Sequence, residues 1–152
     1  MDPQPLTLDI AQEPTSEDLR AVVRGLVAHN SARAAPEAKR PLAVFVRSPD
    51  GQVQGGAAGY THWGWLFVSH LWLPDSLRGG GWGRRLMEAI EDAARRRGCH
   101  AAHLDTFSFQ SLGFYERLGY ERFATLEDYP PGEQRYFLRK TLGAPPGAGT
   151  SR

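Results

Sequence analysis

The sequence has one cysteine, Cys99, so no intramolecular disulfide can form, which fits a reducing compartment. Residues 1–5 have neither a basic stretch nor an apolar one, so we expect no secretory leader there. It also lacks a long apolar run. The longest, residues 63–73, is broken by Gly64, Ser69 and His70 and is too short to span a bilayer. Charge of one sign is not in excess: 18 Lys and Arg against 17 Asp and Glu leave a formal net charge of +1. That balance gives no global argument for a nucleic-acid partner. Together these absences lead us to expect a soluble cytoplasmic protein with no nucleic-acid and no membrane partner.

What is present suffices for one core. The chain has 152 residues, 41% of them hydrophobic, and shows no internal repeat. We expect a single domain over residues 1–142 and a disordered tail over 143–152, where Gly, Pro and Ala replace any apolar period. Residues 6–10 alternate as a strand does. Thr15, Ser16, Glu17 and Asp18 read as a helix start, after which Leu19, Val22, Val23, Leu26 and Val27 recur at helical spacing. Residues 30–40 are polar and interrupted by proline, so they read as loop or broken helix. Strands follow at 42–47, 52–61 and 65–73, with a turn at 48–51. A helix over 82–98 puts Leu86, Ile90, Ala93 and Ala94 on one face, with Gly98 where a C-terminal cap belongs. A strand at 101–106, a short helix at 110–118 and strands at 120–126 and 134–142 complete the order. This is a mixed α/β sheet with helices on its faces.

The informative stretch is Leu71 to Arg85. A strand ends, and Gly79, Gly80 and Gly81 then open a helix. Glycines let backbone N–H groups approach a ligand closely, and a helix start adds unpaired donors and a positive dipole end. The combination suits a pyrophosphate, and Arg78 and Arg84 could add charge-assisted hydrogen bonds. The loop is not a P-loop, because no lysine follows the glycines. It is not a dinucleotide fingerprint either, because the glycine spacing is wrong and a meander precedes it.

At these residues the sequence resembles the GNAT superfamily of N-acetyltransferases. Arg78, Gly79, Gly80, Gly81, Trp82 and Gly83 match its Arg/Gln-x-x-Gly-x-Gly/Ala signature. Phe114-Tyr115-Glu116-Arg117-Leu118-Gly119-Tyr120 resembles its Tyr-x-x-Leu-Gly-Phe/Tyr element. Residues 104–110, 128–132 and 135–140 look like one bacterial branch. The resemblance implies a mostly antiparallel twisted sheet of about seven strands, splayed in the middle, with about four helices on its faces. It implies acetyl-CoA as cosubstrate, with no metal. The pantetheine arm would lie along Leu71, Trp72 and Leu73, and the pyrophosphate on the amides of Gly79 to Arg84, Trp82 among them. Tyr115 would act as acid or hydrogen-bond donor to the leaving thiolate. Ser108 and Ser111 stand where the family often has Asn and Ala, which puts side-chain contacts to pantetheine in doubt.

The implied function is acetyl transfer to a primary amine, on a small molecule or a peptide, by direct attack in a ternary complex. The alternative is an acyl-CoA-binding regulatory module without turnover. A base is not obvious. His70 lies opposite Ser69 on a regular strand, and a bulge would exchange the two faces. It could be the base, a histidine packed beneath a helix, or a substrate contact. His100 and His103 alternate to opposite faces of a strand and suggest no metal site. The cluster Arg95-Arg96-Arg97 reads as a solvated helix face with cations at its C-terminus. Trp63, Trp65, Trp72 and Trp82 are core candidates, and Trp63 could also line an acceptor cleft. The turn Tyr129-Pro-Pro-Gly132 could border the acceptor pocket. Tyr136-Phe-Leu138 offers an apolar strand through which we expect a homodimer.

Overall fold

A computed structural model describes residues 4–143. Of the expected tail at 143–152, all but Gly143 lies outside them. The chain gathers into two compact units, Met1–Glu37 and Ala38–Arg152.

In the first unit, helix α1 covers Ser16–Ser31, and the Thr15 hydroxyl caps it by accepting the Asp18 N–H at 3.1 Å. Such caps contribute about 1 kcal/mol. The strand expected at residues 6–10 does not form. Alternation sets which way side chains point, but a strand also needs a ladder partner, and none of the described strands pairs with this segment.

The second unit is one six-stranded sheet. Its strands are β1 (Arg40–Arg47), β2 (Val53–His62), β3 (Trp65–Trp72), β4 (Ala101–Phe107), β5 (Glu121–Glu127) and β6 (Gln134–Thr141). The spatial order is β1-β2-β3-β4-β6-β5. Every neighbouring pair is antiparallel except β3 and β4. Helices α2 (Trp82–Arg96) and α3 (Leu112–Arg117) and a 3-10 turn at Asp75–Leu77 complete the unit. Among the described residues this makes six strands and three α-helices, where about seven and four were expected.

Leu86, Met87, Ile90 and Ala94 of α2 are buried against Ala57, Leu66, Val68, Ala102, Leu104 and Leu138 of the sheet. Side chains of Leu, Ile or Met size contribute about 1.5–3 kcal/mol each when fully buried. The helix ends in a two-bond glycine cap. Gly98, at φ +87°, donates to the Arg95 carbonyl, and Cys99 donates to that of Ala94. Glu91 sits in this apolar face at 2% exposure. Its carboxylate accepts from Lys140 Nζ at 2.7 Å and from the Tyr120 hydroxyl at 2.9 Å. A charge so buried is tolerable only when paired in this way. Burial, and then the Glu91 charge, push the Tyr120 phenol well above its ordinary range.

Several expectations need correction. Arg95 and Arg97 are not solvated cations. Arg95 pairs with Asp92 at 2.5 Å, and Arg97 donates to the carbonyls of Arg40 and Pro41 and to Thr61 Oγ1. Arg95 thus pairs within α2, and Arg97 fastens the end of the helix to β1 and β2. No tryptophan belongs to the buried cluster: Trp63 sits in the β2–β3 turn at φ +47° and Trp72 is 56% exposed. The rings of His100 and His103 both stand edge-on to Trp65, at 5.6 and 5.7 Å. His100 precedes the first paired residue of β4, so strand alternation does not govern it. Tyr136-Phe-Leu138 lies inside the sheet, between β4 and β5, and has no free edge to offer a second copy.

The feature that positions everything downstream is a bulge in β3. Ala58 pairs with His70 and Gly59 with Val68, so Ser69 is the extra residue. It inverts the alternation. Leu66 and Val68 face the core before it, and Leu71 and Leu73 pack against the core after it. Gly59 permits this crowding, because a Cβ there would lie 1.8 Å from the Phe67 carbonyl oxygen. We therefore expect Gly59→Ala to lower unfolding free energy by about 3 kcal/mol, the upper range for overpacking. Urea denaturation checks it, and a midpoint within error of wild type would show that the bulge relaxes freely.

Candidate active site

β3 and β4 pair only from Trp65 to Val68 and from Ala101 to Leu104. Beyond Val68 and Leu104 the two strands part. Ser69–Trp72 keeps its partner on the β2 side but has none on the β4 side. The fork thus exposes one edge of backbone donors and acceptors over His70, Leu71 and Trp72. It is the splayed middle expected of the sheet, and it lies just before the glycine loop.

After β3 the chain turns at Asp75–Leu77 and enters Gly79, Gly80 and Gly81. Gly79 and Gly81 take φ of +80° and +83°, a region costly for any residue with a Cβ. Gly81 is the N-cap of α2, and no side chain caps the helix. The first-turn amides at Trp82, Gly83 and Arg84 therefore point outward without a side-chain acceptor, as an anion site requires. Gly83 has a different task. A Cβ there would meet the Phe114 ring at 3.2 Å, so its absence lets the loop helix sit against α3.

Phe114 brings Tyr115 with it, since the two are adjacent on α3. The helix is closed by Gly119 at φ +98°. Gly119 donates to the Glu116 carbonyl at 3.0 Å and Tyr120 to that of Tyr115 at 3.1 Å, a two-bond glycine cap again. The Tyr115 ring packs edge-on to Phe114 and Tyr120. Burial pushes its phenol up to about 12, and the Asp105 charge acts in the same direction. The hydroxyl is therefore a fixed donor at neutral pH.

Other expected site residues are placed as follows. His70 is exposed, with Nδ1 2.9 Å from Ser69 Oγ. It does not pack beneath α2, because the bulge turns it to the opposite face. Arg78 donates through Nε to the Leu73 carbonyl at 3.1 Å and stands 3.5 Å from Asp75. Arg84 pairs with Glu88 at 2.8 Å. Both pairs are exposed and therefore weak, which leaves either guanidinium able to take another anion. Ser108 is occupied elsewhere. It donates to the Glu133 carboxylate and accepts the Gln134 N–H at 3.0 Å, which ties the end of β4 to the 129–133 turn. Ser111 is the exposed N-cap of α3, with no side-chain cap bond. Among the described residues no group of three or more His, Cys, Asp or Glu could hold a metal, and no helix is long and apolar enough to cross a membrane.

One group was missed in the sequence. Asp105 pairs with Arg135 at 2.8 Å, and the Arg135 guanidinium lies over Phe107, Tyr129 and Phe137. Its signal was the alternation of Leu104, Asp105, Thr106 and Phe107, which puts the acid on the face opposite the core.

The family model for acetyltransferases of the GNAT family matches residues 10–120. The chain belongs to this family. It is 37% identical over 125 residues to an acetyltransferase of Agrobacterium fabrum, covering 82% of this chain and 91% of the relative. It is 40% identical over 107 residues to the blasticidin-S acetyltransferase of Streptomyces morookaense, covering 68% and 79%. A solved structure from Agrobacterium tumefaciens superposes with a TM-score of 0.84 at 34% identity, covering 90% and 99%. These relatives make the chain a GNAT acyltransferase on a mixed α/β sheet.

In this GNAT chain the Tyr115 phenol is held at about 12, against about 10 in an unfolded chain. Below pH 10 both states keep the proton. Between pH 10 and 12 only the unfolded chain releases it, so stability falls as pH rises through that window. Relative to Tyr115→Phe, wild type should lose about 2–3 kcal/mol by pH 12, at about 1.4 kcal/mol per pH unit. Denaturant unfolding of both proteins at pH 9 and pH 11.5 measures it. A constant difference would refute the raised phenol.

Proposed function

We propose that this protein transfers the acetyl group of acetyl-CoA to a primary amine by direct attack within a ternary complex. The carrying observation is the adjacency of three things: an unpaired strand edge, the glycine-capped helix start that follows it, and α3, whose Phe114 packs against that helix start and carries Tyr115 beside it. The amides from Gly79 to Arg84, with Arg78 and Arg84, take the pyrophosphate. The open edge at Leu71, Trp72 and Leu73 takes the amide-bearing pantetheine arm. Pairing at that edge carries the thioester toward Tyr115.

The amine nitrogen then attacks the thioester carbon. It attacks as the free amine, having first given one proton to water or to His70. An N–C bond forms, the C–S bond breaks with the electron pair leaving on sulfur, and the nitrogen's second proton then leaves to water. Backbone N–H groups of the bulged strand stabilise the oxyanion. The departing sulfur faces Tyr115. Full proton transfer from a phenol near 12 to a thiolate of about 8.5 is uphill by roughly 5 kcal/mol in water. Desolvation of the thiolate narrows that gap, and a hydrogen bond to the developing charge needs no transfer at all. Because Tyr115 sits in a built position on α3, and the relatives are acetyltransferases, a binding module without turnover is not favoured. A small-molecule acceptor is the proposed class, and blasticidin S is the first to assay, because a relative bears its name. A cytoplasmic location and a homodimer belong to the same proposal.

Two variants test it. Gly81→Glu adds a Cβ at φ +83° and a negative charge where the pyrophosphate is proposed. CoA affinity by calorimetry should fall at least about 100-fold with the fold retained, by the loss of a charge-assisted site, and unchanged affinity removes the reading. Tyr115→Phe should lower kcat by about 100-fold or more, the range for acid–base residues, while CoA affinity changes little. Wild-type turnover in that variant, with chemistry limiting, would assign the sulfur's protonation to water.

A further inference from the structure

Asp105 is the first residue of β4 beyond its last pair with β3, Val68 with Leu104. Leu104 and Thr106 on either side are buried, so Asp105 projects to the opposite face, the one to which the bulge also turns His70. Its side chain is 17% exposed. Arg135 contacts it through Nε at 2.9 Å and Nη2 at 2.8 Å, and both bonds go to Oδ1. Oδ2 accepts no hydrogen bond from the described residues. The guanidinium has other contacts that hold it toward Oδ1. Its Nη1 donates to the Tyr129 hydroxyl at 3.0 Å, and rings of Phe107, Tyr129 and Phe137 pack around it at 5.0–5.5 Å. A mostly buried carboxylate is thus held in one orientation at the fork, with a free oxygen. That oxygen is open to solvent and to a ligand, since the Asp105 side chain is 17% exposed.

We propose that Asp105 Oδ2 binds the ammonium group of the acceptor, so that the acceptors are primary amines cationic at neutral pH rather than weakly basic arylamines. The proposal rests on the acetyltransferase reading and names its substrate class. Asp105 stands on β4 across the fork from the β3 edge proposed for the pantetheine arm, so an ammonium held there faces the arm that carries the thioester. Asp105 binds and orients without serving as the base. An alkylammonium, at an ordinary value of about 10.4, holds its proton at neutral pH, and that proton leaves to water in the open fork before the N–C bond forms.

The test follows CoA thiol release at pH 7.5 with acetyl-CoA. Phenethylamine, benzylamine and spermidine represent cationic acceptors, and aniline and 4-methoxyaniline represent neutral ones. Turnover of cationic amines is expected, with arylamines far weaker. Asp105→Asn keeps an oxygen for Arg135. It should raise KM for the cationic amines about 10-fold or more while kcat changes less than about 3-fold, the pattern of a lost ground-state contact. Melting temperature and CoA affinity should hold. Unchanged KM, arylamines used equally well, or no cationic amine turned over by a protein that binds CoA would each overturn the proposal. Failure to bind CoA would instead sink the acetyltransferase reading. Should the variant not fold, the wild-type CoA complex gives a second readout. The Asp105 carboxyl carbon resonance should shift with phenethylamine and not with aniline, and no shift overturns the assignment.

Discussion

The parting of β3 from β4 is the constraint on which the rest of the structure depends. A parallel pair buried at the centre of a sheet would ordinarily pair to its end, because each unsatisfied backbone group costs free energy when buried. Here the ladder stops at Val68 and Leu104. The immediate cause is the Ser69 bulge, which bends β3 and shifts its register against β2. The bulge is possible because Gly59 has no Cβ to collide with the Phe67 carbonyl. One missing methyl group on β2 thereby opens a polar edge on β3.

The bulge also keeps the core intact while the edge opens. Without the inversion, Leu71 and Leu73 would face away from α2 and His70 would be driven into an apolar layer. With it, the leucines pack against the core and His70 stays exposed. One backbone irregularity thus both completes the core and opens the strand edge, in keeping with the frequent placement of bulges beside active sites. The helix that presents the glycine loop is anchored independently. Its apolar face is buried, Glu91 ties it to Lys140 and Tyr120, and Arg97 binds carbonyls at its far end. A fixed helix fixes its own N-terminus, so the loop amides hold their direction without a capping side chain.

The two motifs are physically one device. Gly83 of the loop is small so that Phe114 can approach, and Phe114 is the neighbour of Tyr115. The glycine loop and the proposed thiolate partner are joined through that contact. This coupling is in keeping with an enzyme rather than a passive binder, because a binder has no use for a phenol packed beside the loop helix.

Much of this was legible in the residues themselves. The glycine loop, the helix it opens, Gly98 and Gly119 as caps, and the order of the six sheet strands follow from local rules of backbone freedom and periodicity, which act within a few residues. The strand at residues 6–10 was misread because pairing is not local. Tyr136-Phe-Leu138 was misjudged for the same reason, since its hydrophobicity serves the interior of the sheet. The orientation of His70 turned on a bulge whose cause, Gly59, lies on another strand. Asp105 and Arg135 are thirty residues apart in sequence, and no spacing rule joins them. By itself the sequence determined which segments are helix or strand and where a phosphate-sized anion could meet backbone amides. Only the tertiary structure decided which strand edge stays unpaired and which carboxylate stands at the fork, because both depend on contacts between segments remote along the chain.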